Sequence, residues 1–488
     1  MILVQTMVPT VYTLDSAELT VGAARLGIVH APSYPLYLMI LHLFIQLPLG
    51  DTAFCANLFS ALCLALTVPC LYGLLLELAH DPWIALLGAL TFVWSHYVWI
   101  AGLFAEVYAP QILTIAACGW AIVRLKRAPG VLSYPVAILV GFLVGLMVAT
   151  APSSILLVPG IVLIFRFLRL PWKSSLVAGS VSVLVFAAAA AYLPLRYGAG
   201  ADYNLLGHYT ADGNFQPVDL SSLRQIFWVF RGGQFDALFL KSGVFPLRQM
   251  VKTLTWFWAN YLGLGIIAGF IGLVEMATKH KKMLVVWLTL FLPYTYFYTT
   301  YGATDRHTMF GPSYLLWTIP LAFGMQWALE KNSKRVRIAA CLLLPAILLV
   351  INFPLLDSSA DDGMGQYADL LLATVPAESH IFGVWWEIVP LEYGYYVEDQ
   401  RPDIRLYNLF LFGGPELEAY LARHFDPADP LSAHPVIVLK AARSRLNDCY
   451  ELIPMEINPQ LYDYTEGEIG AYHVVRSQED SESCGNSY

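Results

Sequence analysis

Lys331-Asn332-Ser333-Lys334-Arg335-Val336-Arg337-Ile338-Ala339-Ala340-Cys341-Leu342-Leu343-Leu344-Pro345-Ala346-Ile347-Leu348-Leu349-Val350-Ile351-Asn352-Phe353-Pro354 sets a cluster of cations directly before an uncharged apolar run. A spanning helix needs about 17–25 such residues, so this run is long enough to cross a bilayer. Working back from it, comparable runs fall at about 53–79, 83–102, 105–124, 131–149, 153–170, 174–196, 250–276, 283–301 and 309–329, and this last run, 338–354, is the tenth. With 57% of residues hydrophobic and 13% charged, the chain reads as an all-α polytopic membrane protein with about ten full spans.

The cations settle the orientation. Arg124, Lys126, Arg127, Arg166, Arg169, Lys173, Lys279, Lys281, Lys282, Lys331, Lys334, Arg335 and Arg337 crowd into four short connections, 13 of the 28 basic residues. The ten-span register puts all four on one face, which the positive-inside rule identifies as cytoplasmic. Residues 13–52, the turn at 102–105, the 197–249 loop, the turn at 302–308 and all of 355–488 then share the opposite face. The formal charge of −8 and its segregation suggest no nucleic-acid surface. Bilayer lipid is the first partner implied.

Two segments need separate treatment. The opening Met1-Ile2-Leu3-Val4-Gln5-Thr6-Met7-Val8 reads as the outer half of a first spanning helix whose beginning is missing, and it has neither the basic flank nor the cleavage site of a signal peptide. The proline-bracketed run 34–48 is too short to cross and reads as a helix in the outer interface. Beyond residue 354 the long apolar runs stop. Strand-like pieces at Ile381–Trp385, Ile404–Tyr407, Val436–Leu439 and Ala471–Val475 alternate with helical ones, so 355–488 reads as a small extracytoplasmic α/β domain after a transmembrane domain of 1–354. Cys55, Cys63, Cys70, Cys118 and Cys341 lie in apolar runs without metal-ligand spacing, while Cys449 and Cys484 fall in the polar tail.

Chemistry-bearing residues gather at the outer boundary. Asp15 and Glu18 have the spacing of a capping box, a structural use that competes with catalysis; a carboxylate held at the lipid boundary can also have its pKa lifted toward that of a useful base. Gly27 to Tyr37 is a proline-punctuated turn carrying His30 and Tyr34, equally readable as a rigid corner. Glu106 sits at the outer end of a helix, where solvation or the helix dipole would also explain it. In the turn Gly302 to Tyr314, Arg306 and His307 would lie at headgroup level, where a guanidinium suits a lipid phosphate, although the Asp305 and Arg306 neighbourhood could merely end a helix. The aromatic residues around these points read mostly as an interfacial belt. No metal site is evident. Asp15 and Glu18 offer a divalent cation only two carboxylates.

The order Asp15…Glu18, Leu26-Gly27-Ile28-Val29-His30-Ala31-Pro32-Ser33-Tyr34-Pro35-Leu36-Tyr37, Leu47-Pro48-Leu49-Gly50 and Ala56-Asn57-Leu58-Phe59-Ser60 closely resembles the GT-C superfamily of membrane glycosyltransferases. It is most similar to the branch once catalogued as a multi-span family of unknown function, which includes a eukaryotic transmembrane protein O-mannosyltransferase. Ala105-Glu106-Val107-Tyr108, the Arg306 to Tyr314 turn and Tyr393 to Arg405 agree with it. Where that family usually shows His-Pro-Pro-Gly-Tyr-Pro, this chain has His30-Ala31-Pro32-Ser33-Tyr34-Pro35. The resemblance implies a GT-C-like fold and a polyprenyl-phosphate sugar donor. It also implies Asp15 as the base on an acceptor hydroxyl, Glu18 and Glu106 as supporting acids, and His30 and Arg306 facing the donor phosphate. The acceptor, whether protein, glycan or lipid, stays open, as does a divalent cation. The competing reading is a transporter or flippase of lipid-linked sugars, for which mid-membrane ionisable groups and paired broken helices would be expected.

Overall fold

The computed structural model describes residues 1–124, 134–169, 171–239, 246–303, 306–446, 449–455 and 470–476. Lys126, Arg127, Asp305 and Cys484 lie outside them, and Cys449 is disulfide-bonded.

The chain is mostly helical. Four helices are long and apolar enough to cross a membrane among the described residues: Thr52–Ala79, Trp172–Gly198, Lys281–Thr300 and Lys334–Leu356. Leu247–Asn260 and Leu264–Lys279 pass the same test only as a pair, bent by 104°. The uninterrupted crossing expected at 250–276 is therefore two helices. Leu262 and Gly263 at the break have φ of 51° and 66°, in the left-handed region that ends a helix. The side chain of Asn260 meanwhile accepts from the Tyr97 amide at 3.0 Å. The run at 83–102 also divides, into Pro82–Val93 and His96–Ile100, and the run at 153–170 begins as a 3-10 turn, Pro152–Leu157, before Val158–Phe167. Short helices joined at such breaks still bury their backbone groups against neighbours, as membrane depth requires.

Packing relies on small residues, because lipid tails supply little hydrophobic drive between helices. Leu264–Lys279 crosses Gly311–Leu329 where Gly272 faces Pro320 and Gly324 faces Ala268; a Cβ on either glycine would lie 1.8 Å from the facing carbonyl oxygen. Tyr134–Thr150 meets Trp172–Ala190 in the same way: a Cβ on Gly141 would lie 2.3 Å from the Ala178 oxygen. Ser182 Oγ donates to the Gly141 carbonyl at 2.9 Å across this contact.

Pro35–Ile45 is an 11-residue helix, short of a crossing, with Tyr37, Leu38 and Leu41 buried and Leu43 71% exposed. A hairpin, β1 (Gly207–Tyr209) with β2 (Phe215–Pro217), decorates the 197–249 loop. After Leu356 the chain forms a five-stranded sheet of β3 (His380–Gly383), β4 (Arg405–Asn408), β5 (Val436–Leu439), β6 (Tyr450–Pro454) and β7 (Ala471–Arg476), in the order β4-β3-β5-β7-β6. β3 pairs in parallel with β4 and β5, while β7 runs antiparallel to β5 and β6. The expected strands are present, with β3 ending at Gly383 because Trp385–Tyr396 continues as a helix; β6, with its alternating exposed residues, is additional.

This sheet region does not stand apart. Ile28, Tyr37, Leu206, Tyr367, Ile388 and Ile437 belong to one continuous buried cluster. Thr13 Oγ1 donates to the Trp386 carbonyl at 3.0 Å, the Ile28 amide donates to the Tyr203 carbonyl at 2.8 Å, and the Tyr209 amide donates to the Leu411 carbonyl at 2.9 Å. These bonds stitch the early helix Asp15–Arg25, the 197–249 loop and the last third of the chain into one body.

Candidate active site

Asp15 and Glu18 sit in the first turns of Asp15–Arg25, but not as a capping box. The N-cap is Leu14, with φ 55° and no side-chain cap bond. The helix thus begins one residue too early for the Asp15–Glu18 spacing to bridge its end. Glu18 instead turns inward, fully buried, toward the turn that follows the helix. Its Oε1 accepts the His30 amide at 2.7 Å, and its two oxygens lie 2.9 and 2.8 Å from His30 Nδ1. The other ring nitrogen, Nε2, lies 3.6 Å from Asp15 Oδ2. The imidazole is therefore clamped between two carboxylates, the inner one sealed and the outer one, Asp15, with its side chain 24% exposed.

The electrostatics follow from this clamp. Burial works to discharge His30, but the Glu18 and Asp15 carboxylates outweigh it and push its pKa up to about 10. Burial raises the Asp15 pKa; His30 draws it down and Glu18 pushes it up again, and the net shift is upward. The outcome is a carboxylate with some appetite for a proton beside a fixed imidazolium. Each of the three residues also brings a ligand atom within 4.8 Å of the others, so they are the candidate set for a divalent cation.

The turn that carries His30 is held from several sides. Ser33 and Tyr34 both have positive φ, 66° and 40°. Ser33 occupies the position at which the resembled family usually has glycine, the residue that adopts this conformation at least cost. The Ala31 amide donates to Gln234 Oε1 at 2.9 Å, and Gln234 Nε2 donates to the Leu205 carbonyl at 3.2 Å, so the 197–249 loop braces the turn.

Asp15, His30 and Tyr34 open onto a cavity of about 600 Å³, within the range of small-ligand sites. Its lining comes from six separated parts of the chain: Leu14 to Tyr34, Val107 to Gln111, Ala151 to Leu156, Phe230 to Phe239, Phe297 to Ala303 with Met309, and Trp385 with Phe410. Four of the five segments expected together, 13–52, 197–249, 302–308 and 355–488, contribute to this lining; the 102–105 turn does not, and Ala151 to Leu156 joins them. Glu106 is buried just behind Val107, its amide donating to Ser60 Oγ at 3.1 Å, while the neighbouring Ala105 amide donates to Asn57 Oδ1 at 2.8 Å. Asn57 Nδ2 donates in turn to the Val8 and Thr10 carbonyls, both at 2.9 Å.

Arg306 and His307 are placed elsewhere. Neither lines the cavity. The Arg306 guanidinium lies 5.2 Å from the centre of the Trp256 ring and donates to the Tyr301 carbonyl, and it is 4% exposed. The His307 ring packs 5.0 Å from Tyr97 and 6.0 Å from Trp256. Arg306 is thus bonded to the backbone of Tyr301, which lines the cavity, while His307 packs between Tyr97 and Trp256. The guanidinium that does reach the cavity is Arg231, in an ion pair with Asp236 at 2.7 and 2.8 Å. No motif around Arg231 marks it in the sequence. Trp385 and Phe235 stack edge-on against His30 at 5.6 and 5.5 Å, adding an aromatic floor that sequence patterning also does not reveal. On the same helix as Trp385, Glu392 accepts from Tyr203 Oη at 2.8 Å; burial pushes its pKa up to about 7, against the Tyr203 bond and with the field of Glu18.

Residues 15–174 match the family described as the protein O-mannosyl-transferase TMEM260 N-terminal domain. Within the chain, 187 residues are 28% identical to protein O-mannosyl-transferase TMEM260 of Mus musculus, covering 38% of this chain and 26% of that protein. Among solved structures, ArnT from Cupriavidus metallidurans, bound to undecaprenyl phosphate, superposes with a TM-score of 0.57 at 9% identity, over 97% of this chain and 96% of its own. The Archaeoglobus fulgidus oligosaccharyltransferase AglB, in complex with an inhibitory peptide and a dolichol-phosphate, gives 0.52 at 12% identity, over 98% and 72%. Across residues 15–174 the chain is thus similar in sequence to the TMEM260 O-mannosyl-transferase N-terminal domain, and over nearly its whole length it is similar in fold to ArnT and to the archaeal oligosaccharyltransferase.

Proposed function

We propose that the protein is a membrane glycosyltransferase that moves a sugar from a polyprenyl-phosphate donor to a hydroxyl acceptor, with inversion, on the extracytoplasmic side. The observation that carries this reading is the single cavity in which Asp15, backed by the Glu18-clamped His30, meets apolar and aromatic walls and the Arg231 guanidinium. The likeness to proteins whose structures hold undecaprenyl phosphate or dolichol-phosphate supports the donor class.

In this mechanism Asp15 takes the proton from the acceptor hydroxyl as its oxygen bonds to the anomeric carbon. The bond from that carbon to the phosphate oxygen breaks, and its electrons leave with the lipid phosphate. His30, fixed as an imidazolium, and Arg231 offer positive charge to the departing phosphate, whose negative charge grows as the bond breaks. Glu18 and Glu106 act through other groups, Glu18 by setting the ring and charge of His30. Asp15, Glu18 and His30 could hold a divalent cation only with His30 deprotonated, the metal then supplying Lewis-acid charge in place of the imidazolium proton. No step above depends on it. In the transporter reading the same cavity would hold the lipid-linked sugar intact. Asp15, the acidic residue of the cavity lining, sits at a helix end and not in the middle of a long helix, which favours chemistry over transport.

The test is incubation of purified protein in proteoliposomes with labelled polyprenyl-phosphate sugars. Free polyprenyl phosphate should accumulate with the wild type, and Asp15→Asn should slow its release by about 10²–10⁴-fold with an unchanged melting temperature. Movement of intact donor without breakdown would establish transport instead, and near-normal release by Asp15→Asn would remove that residue from the mechanism.

A further inference from the structure

A second cavity, of about 740 Å³, lies at the opposite ends of the helices that build the first. Tyr108–Arg124 lends Gln111 to one and Ile122 to the other, and Lys281–Thr300 lends Phe297 to one and Val286 to the other. The walls of this second space are almost wholly aliphatic or aromatic, and its mouth is the basic connection Lys279-His280-Lys281-Lys282. Lys279 is held by Glu275 at 2.8 Å. Lys281 and Lys282 are exposed, make no ion pair among the described residues, and the Lys282 ammonium stands 5.9 Å from the centre of the Phe167 ring at the rim.

We infer that this is a binding site for one anionic phospholipid of the leaflet that meets the basic connections, with its phosphate against Lys281 and Lys282 and one acyl chain in the cavity. Two observations choose this occupant. An apolar shaft with cations at its open end complements a molecule that is apolar along its length and anionic at one end, and basic pockets between membrane helices are of the kind that hold such headgroups. Depth is the second. From Lys281 at the mouth to Leu290, the deepest residue of that helix in the lining, the helix rises roughly 14 Å, about half of the ~30 Å hydrocarbon thickness. The shaft thus matches a chain confined to a single leaflet rather than a long polyprenyl chain. The inference depends on the membrane setting and not on the glycosyl-transfer reading.

Native mass spectrometry of the delipidated full chain, titrated separately with phosphatidylglycerol, phosphatidylcholine and a polyprenyl phosphate, tests it. The expected result is retention of one phosphatidylglycerol at a concentration about tenfold lower than phosphatidylcholine requires. Lys281→Glu combined with Lys282→Glu should abolish that preference. Gly119→Leu should abolish retention of the bound lipid by filling the shaft; a Cβ there meets only the Leu74 side chain, at 3.4 Å, so the variant is expected to fold and insert. Equal retention of both phospholipids, unchanged phosphatidylglycerol retention in Gly119→Leu, or retention of the polyprenyl phosphate alone would each overturn the assignment.

Discussion

His30 shows why a residue pattern can be legible while its use is not. The Asp15 and Glu18 spacing suggested mutual capping, but the helix starts at Asp15 and its side chains fan out differently: Asp15 faces the cavity and Glu18 the buried turn. A histidine with both ring nitrogens near carboxylates is a charge clamp. Removing it by His30→Ala would strand a fully buried Glu18, a change that costs about 3–5 kcal/mol, read as a lowered unfolding midpoint. The pH dependence has a fixed sign. Because the folded pKa of His30, about 10, lies above that of a free histidine, the stabilisation is complete below about pH 6.5. It is lost as pH climbs through about 10, so the stability gap between wild type and His30→Ala should narrow across that window and not on acidification to pH 6. Arg231 and Arg306 make a paired prediction. Losing a charge-assisted hydrogen bond costs roughly 1.5–3 kcal/mol, so Arg231→Ala should raise the KM for donor by about 10- to 100-fold. Arg306→Ala, which removes a guanidinium bonded to the Tyr301 carbonyl and set over Trp256 outside the cavity lining, should chiefly lower stability; the opposite pattern in donor titrations would return the phosphate role to Arg306.

Elements tell a similar story about what sequence carries. Apolar runs and basic connections are local signals, so most helices were legible, as were four strands of the sheet. The break at Leu262 and Gly263 was not, because the apolar run from Leu254 continues through it and only the backbone angles mark the turn. Arg231 and Gln234 were invisible for another reason: they follow a short amphipathic helix, Leu223–Phe230, that reads as surface, and their place against His30 comes from contacts with residues some 200 positions away. His307 and Arg306 occur in the expected turn, but which wall of the turn they face depends on Trp256, from a different helix. Helix packing itself can be tested. Gly272→Ala forces a methyl group into the Pro320 carbonyl and should cost about 1–3 kcal/mol, seen as a lower melting temperature in detergent. Gly179→Ala, with nothing within 4 Å, should hold or raise it.

At the scale of the whole molecule, the proposal depends on all the cavity-forming segments sharing the compartment opposite the basic connections. The shared buried cluster ties the early helix, the 197–249 loop and the final third of the chain together, so one cannot be on the other side without the rest. The apolar cavity with its lysine mouth at the other ends of the same helices fits that orientation. The most direct check is labelling of single-cysteine reporters in intact cells with a membrane-impermeant maleimide. Ser359→Cys, exposed beyond the last long helix, should react before permeabilisation, and Asn332→Cys, exposed beside Lys331 and Lys334, only after it. The reverse order would place Asp15 and its cavity in the cytosol and contradict the account.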